Sequence, residues 1–486
     1  MAALPSTRER FPTVIVIFGA TGDLTARKLG PGLFHLFRKD LLPPLLHVIG
    51  FSRRPLNDAK FREHLRTALT SHGNGERHAA TVEQFLSHVT YEQGDFETLA
   101  DYERIAVKLG RIDGEWKACA NKLFYLAVPP RYYQSICRHL AKSGLTEPCS
   151  PEEGWTRVIV EKPFGHDLAT AQELDALLGK LFREEQIFRV DHYLAKDTLR
   201  NILTFRFTNT IFDPVWNRTY VDRVDIRILE TLDVGTRGAF YDGLGALRDV
   251  GQNHLLQMLA LVAMENPGTL ESTSIRRKRA EVLKAVRLDR RTPMNVVRAQ
   301  YDGYRTTPKV AADSGTETYI RLHANVDNAR WRGVPFILES GKALDRMEST
   351  ITVTFKEPQP CVCPMPAGHT GHLHNHITFT LEPEERIAIR FWANELGLHH
   401  RVEPRDFRFA YGSDDGARAE AYEKLLYDAI RGDQTLFTST EEVLASWNFI
   451  ATVLDHWDTA PLQYYARGSQ GPTHPLSPTH ANETDH

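Results

Sequence analysis

The sequence predicts an α/β domain built on a parallel sheet, followed by a larger α+β domain with a mainly antiparallel sheet. Three observations carry this. Residues Thr13 to Phe18 are a β-branched apolar run that stops at a glycine turn, and Leu24 to Phe37 then repeats apolar positions at helical spacing. Further runs at Leu45–Gly50, Leu123–Val128 and Val158–Val160 supply more strands to the same half. From about Leu199 the rhythm changes to alternating strands such as Val224–Leu229, Glu317–Leu322 and Thr350–Phe355, mixed with helices at Asp249–Met264 and Ala417–Ile430. That short-period alternation is the pattern of an antiparallel sheet with one face covered.

At 486 residues the chain is long enough for two domains, and 42% hydrophobic with 25% charged residues is an ordinary globular composition. The expected division is 1–190, 191–470 and a mobile tail at 471–486, where Pro, Thr, Ser, His and Asn leave little to bury. A net charge of -3 predicts no nucleic-acid surface, so an anionic ligand has to be held by a local pocket. Met1 to Arg10 carries two arginines and no apolar core, and the longest apolar helical run, Leu255–Met264, is too short to cross a bilayer. A cytoplasmic protein without a membrane partner is expected. Five scattered cysteines argue against a disulfide framework and suit a reducing compartment.

The first turn reads Ile17-Phe-Gly-Ala-Thr-Gly22, which lacks the first glycine of the usual G-x-G-x-x-G. Gly19 and Gly22 would let the backbone approach a pyrophosphate, whose charge meets the free N–H groups of the following helix. The second strand ends in Gly-Phe-Ser-Arg-Arg54, where an NAD site normally carries a carboxylate for the ribose. Guanidiniums there favour a 2′-phosphate, so NADP is the expected cofactor. The later strands put Pro129-Pro130 and Glu161-Lys162 at their C-terminal ends, where open α/β sheets place ligands.

Acid, base and phosphate-binding groups gather in Ile187-Phe-Arg-Val-Asp-His-Tyr-Leu-Ala-Lys196 and Asp249-Val-Gly-Gln-Asn-His254. If the first is helical beyond Asp191, His192 and Lys196 lie four residues apart on one face and can hold the same dianion. Asp191 then faces elsewhere and can orient an imidazole. His254 sits in a Leu-rich helix, where Asp249, Asn253 and Gln257 make a polar stripe.

The first of these blocks resembles the RIDHYLGK signature of the glucose-6-phosphate dehydrogenase family. The resemblance extends through Gly19-Ala-Thr-Gly-Asp-Leu24, Phe124-Tyr-Leu-Ala-Val-Pro-Pro130, Glu161-Lys-Pro-Phe-Gly165, Arg248-Asp-Val-Gly-Gln-Asn-His254, Val334-Pro-Phe-Ile337 and Arg431-Gly-Asp-Gln-Thr-Leu-Phe437, in the family's order. It implies a Rossmann-like coenzyme domain and an α+β domain whose sheet serves subunit association in a homodimer or homotetramer. It implies oxidation of a sugar phosphate at C1, with His254 as general base, Asp191 fixing its tautomer, and Lys162 between cofactor and substrate. His192, Tyr193 and Lys196 would hold the phosphate, and Glu230 and Asp249 the sugar hydroxyls. For the coenzyme it assigns Gly19, Thr21, Gly22, Asp23, Leu24, Arg53 and Lys162.

Some positions depart from the family pattern. The glycine before the signature lysine is Ala195, and Asp197 stands for Glu. The motif Leu-Arg-x-Gly-Lys reads Leu338-Glu-Ser-Gly-Lys342; Lys342 still reaches the substrate on this reading, with Arg346 as a helper. Glu382 replaces a neutral amide. Glu339 and Glu382 motivate an alternative substrate such as an amino sugar phosphate, and a catalytically retired nucleotide-binding paralogue is the alternative from another class. Cys361-Val-Cys363 with His369, His372, His374 and His376 looks like a ligand set, but the Cys-x-Cys spacing is tighter than common zinc pairs. No metal is expected, because hydride transfer needs only a base, an orienting pocket and the cofactor.

Overall fold

The computed structural model describes residues 12–70, 78–149, 154–289, 295–358, 373–396, 402–410, 419–457 and 460–473. The chain divides into two compact units, and neither is continuous. One comprises Met1–Lys196, Glu265–Ala280 and Ser413–Trp447; the other comprises Asp197–Met264, Glu281–Gly412 and Asn448–His486. The linear division expected at residue 190 differs from this, because two later segments belong with the coenzyme unit. Buried polar bonds hold them there. Arg276 pairs with Glu184 at 2.5 Å and Gln434 Nε2 donates to Ile187 O at 2.9 Å, each from a later segment to the first, and Arg279 pairs with Glu442 at 2.8 Å between the two later segments, with both side chains inaccessible. Of the expected tail, 474–486 lies outside the described residues, as do Met1–Arg10.

The first unit is a sheet of six parallel strands, β1 (Thr13–Phe18), β2 (Leu46–Ser52), β3 (Val89–Gln93), β4 (Asn121–Leu126), β5 (Thr156–Val160) and β6 (Ile187–Val190). Their order is β6-β5-β4-β1-β2-β3, with Phe437–Thr438 antiparallel on the β6 edge. This is the doubly wound arrangement, whose direction of winding reverses at β1 and β4 and opens a crevice beyond their C-terminal ends. All six residues of β1 are buried, which explains a continuous apolar run instead of an alternating one. Gly19 follows β1 with φ +83°, and a Cβ there would stand 2.2 Å from the Ala127 carbonyl oxygen. Only glycine fits both the conformation and the space.

The second unit contains β7 (Val221–Leu229), β8 (Val286–Leu288), β9 (Val296–Tyr301), β10 (Tyr319–Val326), β11 (Pro335–Gly341), β12 (Glu348–Phe355), β13 (His376–Glu382), β14 (Arg386–Asn394) and β15 (Val402–Ala410). The sheet runs β15-β14-β13-β12-β7-β11-β10-β9, then Leu462–Tyr465. It is mainly antiparallel, with β7–β11 and the last pair parallel. Along β10 the last six residues alternate between half-buried and buried, as a sheet with one covered face requires. A helix over Leu247–Ala263 packs here, so closely that a Cβ on Gly251 would stand 3.0 Å from Ile320 Cδ1. Its C-terminal half is buried on all sides, and its last carbonyls still need donors. Arg206 and Trp216 donate to Val262 O and Trp331 donates to Ala263 O.

One expectation is overturned. Cys119 and Cys149 are disulfide-bonded, with Cα atoms 6.2 Å apart. Thirty residues separate them in sequence, and composition could not reveal that the segments preceding the neighbouring strands β4 and β5 meet. Among the described residues no helix is long and apolar enough to cross a membrane.

Candidate active site

In the first unit the glycine turn closes on itself, with Gly22 N–H donating to Gly19 O at 2.9 Å. Thr21 Oγ1 bonds Ser52 Oγ at 2.9 Å and ties the turn to the end of β2. Helical backbone begins directly afterwards, so the first N–H groups of that helix face the crevice end of the sheet. Asp23 is exposed and ion-paired to Arg27, and Leu24 packs on the core. Arg53 is exposed beyond β2, its guanidinium 5.6 Å from the Phe96 ring centroid and 5.4 Å from that of Tyr132. A side-chain-free cradle, a helix N-terminus and a cation held on two aromatic faces fit a dinucleotide carrying a 2′-phosphate.

Lys162 follows Glu161 at the end of β5 and precedes a cis peptide bond to Pro163. The sequence reading gave Glu161 no role, yet it anchors this corner. Its carboxylate accepts from Tyr125 Oη at 2.5 Å and bonds Tyr422, while its carbonyl accepts from Tyr133 Oη at 2.9 Å. Burial pushes the carboxyl up to about 7, against the pull of the two phenols and the Lys162 charge. The missed signal was the spacing of Tyr125 and Tyr133 around the Pro129-Pro130 turn.

The block after β6 corrects the helical reading. Residues 191–196 are turns, with Leu194 N–H donating to Asp191 O, Ala195 to His192 O and Lys196 to Tyr193 O. These bonds span three residues, the repeat of a 3₁₀ turn, in place of the four-residue helical repeat expected to align His192 with Lys196. Asp191 is the cause. Its side chain accepts from Tyr193 N–H at 3.0 Å, an Asx-type bond that favours a turn over a helix, and the helix begins only at Asp197.

In the second unit the helix carrying His254 also departs from expectation. Leu247–Leu255 is π-helical and only Leu256–Ala263 is α-helical. Residues five apart, such as Asp249 and His254, stand about 140° apart on an α-helix but close to one turn apart here. Both are buried, as are Asn253 and Gln257 of the expected polar stripe. Asn253 Nδ2 donates to Asp249 O at 3.0 Å, and its Oδ1 accepts from His254 N–H at 2.6 Å.

Glu317, which the sequence reading treated only as the start of a strand, sits at the N-terminus of this helix. Its Oε1 accepts from Leu247 N–H at 3.0 Å, and its carbonyl accepts from Ala246 N–H. Gly245 makes room, since a Cβ there would be 2.2 Å from Glu317 Oε1.

Glu230 and Lys342, proposed separately for the sugar, form one ion pair at 2.6 Å, with the Lys342 ammonium 5.7 Å from the Tyr241 ring centroid. Arg346 is engaged by Asp345 and Glu348, each at 3.0 Å. Glu339 stands opposite Arg227 in the β7–β11 register, pairs with it at 3.2 Å and accepts from Tyr319 Oη at 2.7 Å. The departure from the family motif is therefore balanced inside the sheet. Glu382 accepts from Ser349 Oγ at 3.3 Å. Of the Cys/His stretch, Cys361, Cys363, His369 and His372 lie outside the described residues. His374 and His376 bond Phe355 O and Thr354 Oγ1.

The two halves of the chain match two family models, the glucose-6-phosphate dehydrogenase NAD binding domain over residues 16–201 and the glucose-6-phosphate dehydrogenase C-terminal domain over 203–483. The chain belongs to the glucose-6-phosphate dehydrogenase family. It is 39% identical over 467 residues to the glucose-6-phosphate 1-dehydrogenase of Chlamydia muridarum, covering 92% of this chain and 90% of that one. The enzyme of that name from Aggregatibacter actinomycetemcomitans is 38% identical, with 94% of each chain covered. Among solved structures, a glucose-6-phosphate dehydrogenase in complex with its substrate glucose-6-phosphate has a TM-score of 0.86 at 33% identity, covering 96% of this chain and 97% of that one. The Mycobacterium avium enzyme gives 0.81 at 33% identity, with 95% and 96% covered. Family membership makes this chain a dehydrogenase and gives its first unit the coenzyme.

Proposed function

We propose that the protein oxidises glucose 6-phosphate at C1 to 6-phosphoglucono-δ-lactone with NADP, in the cytoplasm, as the first oxidative step of the pentose phosphate route. The observation that carries this reading is the π-helical turn that sets buried Asp249 and His254 on one face, in a chain of this family. His254 takes the proton of the C1 hydroxyl, and the cofactor, when bound, accepts the hydride from C1. Asp191 is assigned as the carboxylate that fixes the imidazole tautomer and stabilises the imidazolium. Asp249 and Glu230 accept from sugar hydroxyls, Lys342 neutralises Glu230, and Arg346 lends positive charge nearby. His192, Tyr193 and Lys196 hold the phosphate, and Lys162 orients the substrate against the nicotinamide. Gly19, Thr21, Gly22, Asp23, Leu24 and Arg53 hold the dinucleotide.

The amino-sugar alternative loses its motive, because Glu339 is already balanced by Arg227 and Glu382 is bonded to Ser349. The retired-paralogue alternative sits badly with Asp191, Asp249, His254 and Lys342 kept in buried, costly positions. The deciding experiment is NADPH absorbance across glucose, glucosamine, galactose and mannose 6-phosphates and free glucose, each with NADP and NAD. Selective turnover of glucose 6-phosphate with NADP supports the reading; preference for another sugar or silence throughout overturns it.

Two substitutions test the assignments. Lys196→Ala raises KM for glucose 6-phosphate about tenfold with kcat held, the loss of one charge-assisted hydrogen bond. Arg53→Ala lowers kcat/KM about tenfold with NADP and leaves NAD unchanged. Unchanged kinetics in either variant removes that residue from its assigned role. The assembly proposed is a homodimer or homotetramer. Exposed Phe391, Phe407 and Phe409 give β14 and β15 an apolar surface that a second copy would cover, which sedimentation can test.

A further inference from the structure

We propose that Cys119 and Cys149 form a thiol–disulfide exchange site, at which a small anionic thiol becomes attached to Cys149. The pair lies at the end of the sheet opposite the glycine turn, before two interior strands, Cys119 two residues before β4 and Cys149 on the segment leading to β5. The dehydrogenase chemistry has no use for it.

Access to the two sulfurs is unequal. Cys149 is exposed, whereas Cys119 is half-buried, with Gly154 turned over it at φ +75°; a Cβ on Gly154 would stand 3.5 Å from Cys119 Sγ. An entering thiolate therefore meets Cys149 first. A cavity of about 480 Å³ opens beside Cys149, within the usual range for small ligands. Leu181 and Phe182 give it an apolar wall, and Lys180, Arg183 and Glu147 supply two positive charges against one negative. Such a lining suits a thiol of peptide size that carries carboxylates.

The sulfurs also have charged company. Lys122 Nζ, on a largely buried side chain, is 4.0 Å from Cys149 Sγ, and Asp113 Oδ2 is 3.9 Å from it. The ammonium favours Cys149 leaving as a thiolate, which serves the second exchange and not the first, and the carboxylate limits the effect; access is what directs the first attack to Cys149. Cys137 provides the contrast, since burial pushes its thiol up to about 12 and no cavity borders it among those described.

The exchange balances without an added oxidant. The entering sulfur bonds to Cys149 Sγ, the Cys119–Cys149 bond breaks, and its electron pair leaves on Cys119, which takes a proton from water. A second thiol then attacks the mixed disulfide, releasing the small disulfide and leaving two thiols. The small disulfide drives the reverse sequence.

The test uses the full chain with reduced glutathione as the probe, quenched by alkylation and followed by peptide mapping. The expected early product carries glutathione on Cys149 and an alkylated thiol on Cys119. Cys119→Ser treated with oxidised glutathione should hold a lasting adduct on Cys149. Mapping, with Cys149→Ser as blank, separates this from Cys361 and Cys363. Reversing the cavity charge with Lys180→Glu and Arg183→Glu should slow exchange with glutathione on the order of threefold to tenfold and leave uncharged β-mercaptoethanol unaffected. An adduct on Cys119 instead, no adduct on either sulfur, or equal slowing with both thiols overturns the proposal. These readouts do not depend on which sugar the enzyme oxidises.

Discussion

Replacing His254 with asparagine should lower kcat on the order of 10³- to 10⁴-fold and leave KM for glucose 6-phosphate within about threefold, the signature of a lost general base. Asparagine can keep a hydrogen bond to a sugar hydroxyl, so ground-state binding survives. It cannot accept a proton at neutral pH, so the C1 hydroxyl must lose its proton to water as hydride leaves. The backbone of this residue is already fixed by Asn253 Oδ1, and its neighbours on the helix are bonded independently of the imidazole. A fold defect is therefore not expected, and unchanged circular dichroism would establish that. Asp191→Asn is expected to fall in the same direction by a smaller factor, since it removes the orienting charge and leaves the base. Full turnover in His254→Asn would place the base elsewhere and undo the assignment of this helix as the catalytic element.

How much of this was legible in the sequence depends on the range over which each signal acts. The turn at Gly19 is local, because its positive φ already demands glycine, and the approach of Ala127 adds a long-range reason for the same residue. The strands found by alternation, such as Val224–Leu229 within β7 and Thr350–Phe355 within β12, are likewise local in origin. Three features were hidden. The turns at 191–196 arise from one side chain, Asp191, outcompeting helical bonding. The π-helical register at 247–255 shows no periodic signal, because the segment is buried nearly all round. The return of 265–280 and 413–447 to the first unit is fixed by pairs such as Arg276–Glu184 and Gln434–Ile187, which no window along the chain can bring together. The same holds for Glu339, which reads as a lost substrate contact in the motif and as the partner of Arg227 in the sheet.

Glu317→Gln should flatten the dependence of stability on pH, and the argument turns on which of two opposing effects is larger. A carboxylate at a helix N-terminus gains from the helix dipole and from the Leu247 N–H bond, together at most about 2 kcal/mol, and Arg248 and Arg298 add to that pull. Burial works the other way and is stronger, pushing the carboxyl from near 4.5 up to about 7. The folded chain therefore holds this proton more tightly than the unfolded one. Between roughly pH 4.5 and 7 the unfolded state has released it and the folded state has not, so stability falls as pH rises through that window and levels off above it. The full shift corresponds to about 3–4 kcal/mol, of which the part below pH 5 is already lost before the interval measured next. Glutamine keeps an acceptor for Leu247 N–H and a donor in place of the acid proton, and it has no charge to bury. Denaturant unfolding at pH 5 and pH 8 should show the variant losing about 2–3 kcal/mol less than the wild type over that interval. Glu161, raised to a similar value for the same reason, retains its own share of the slope. Glu317→Ala makes the contrast, because it flattens the slope in the same way but strands a buried N–H at the start of the His254 helix, and should lie about 1–3 kcal/mol below Glu317→Gln at both pH values. An unaltered slope in Glu317→Gln would mean that water reaches this carboxylate and that the helix N-terminus is not sealed.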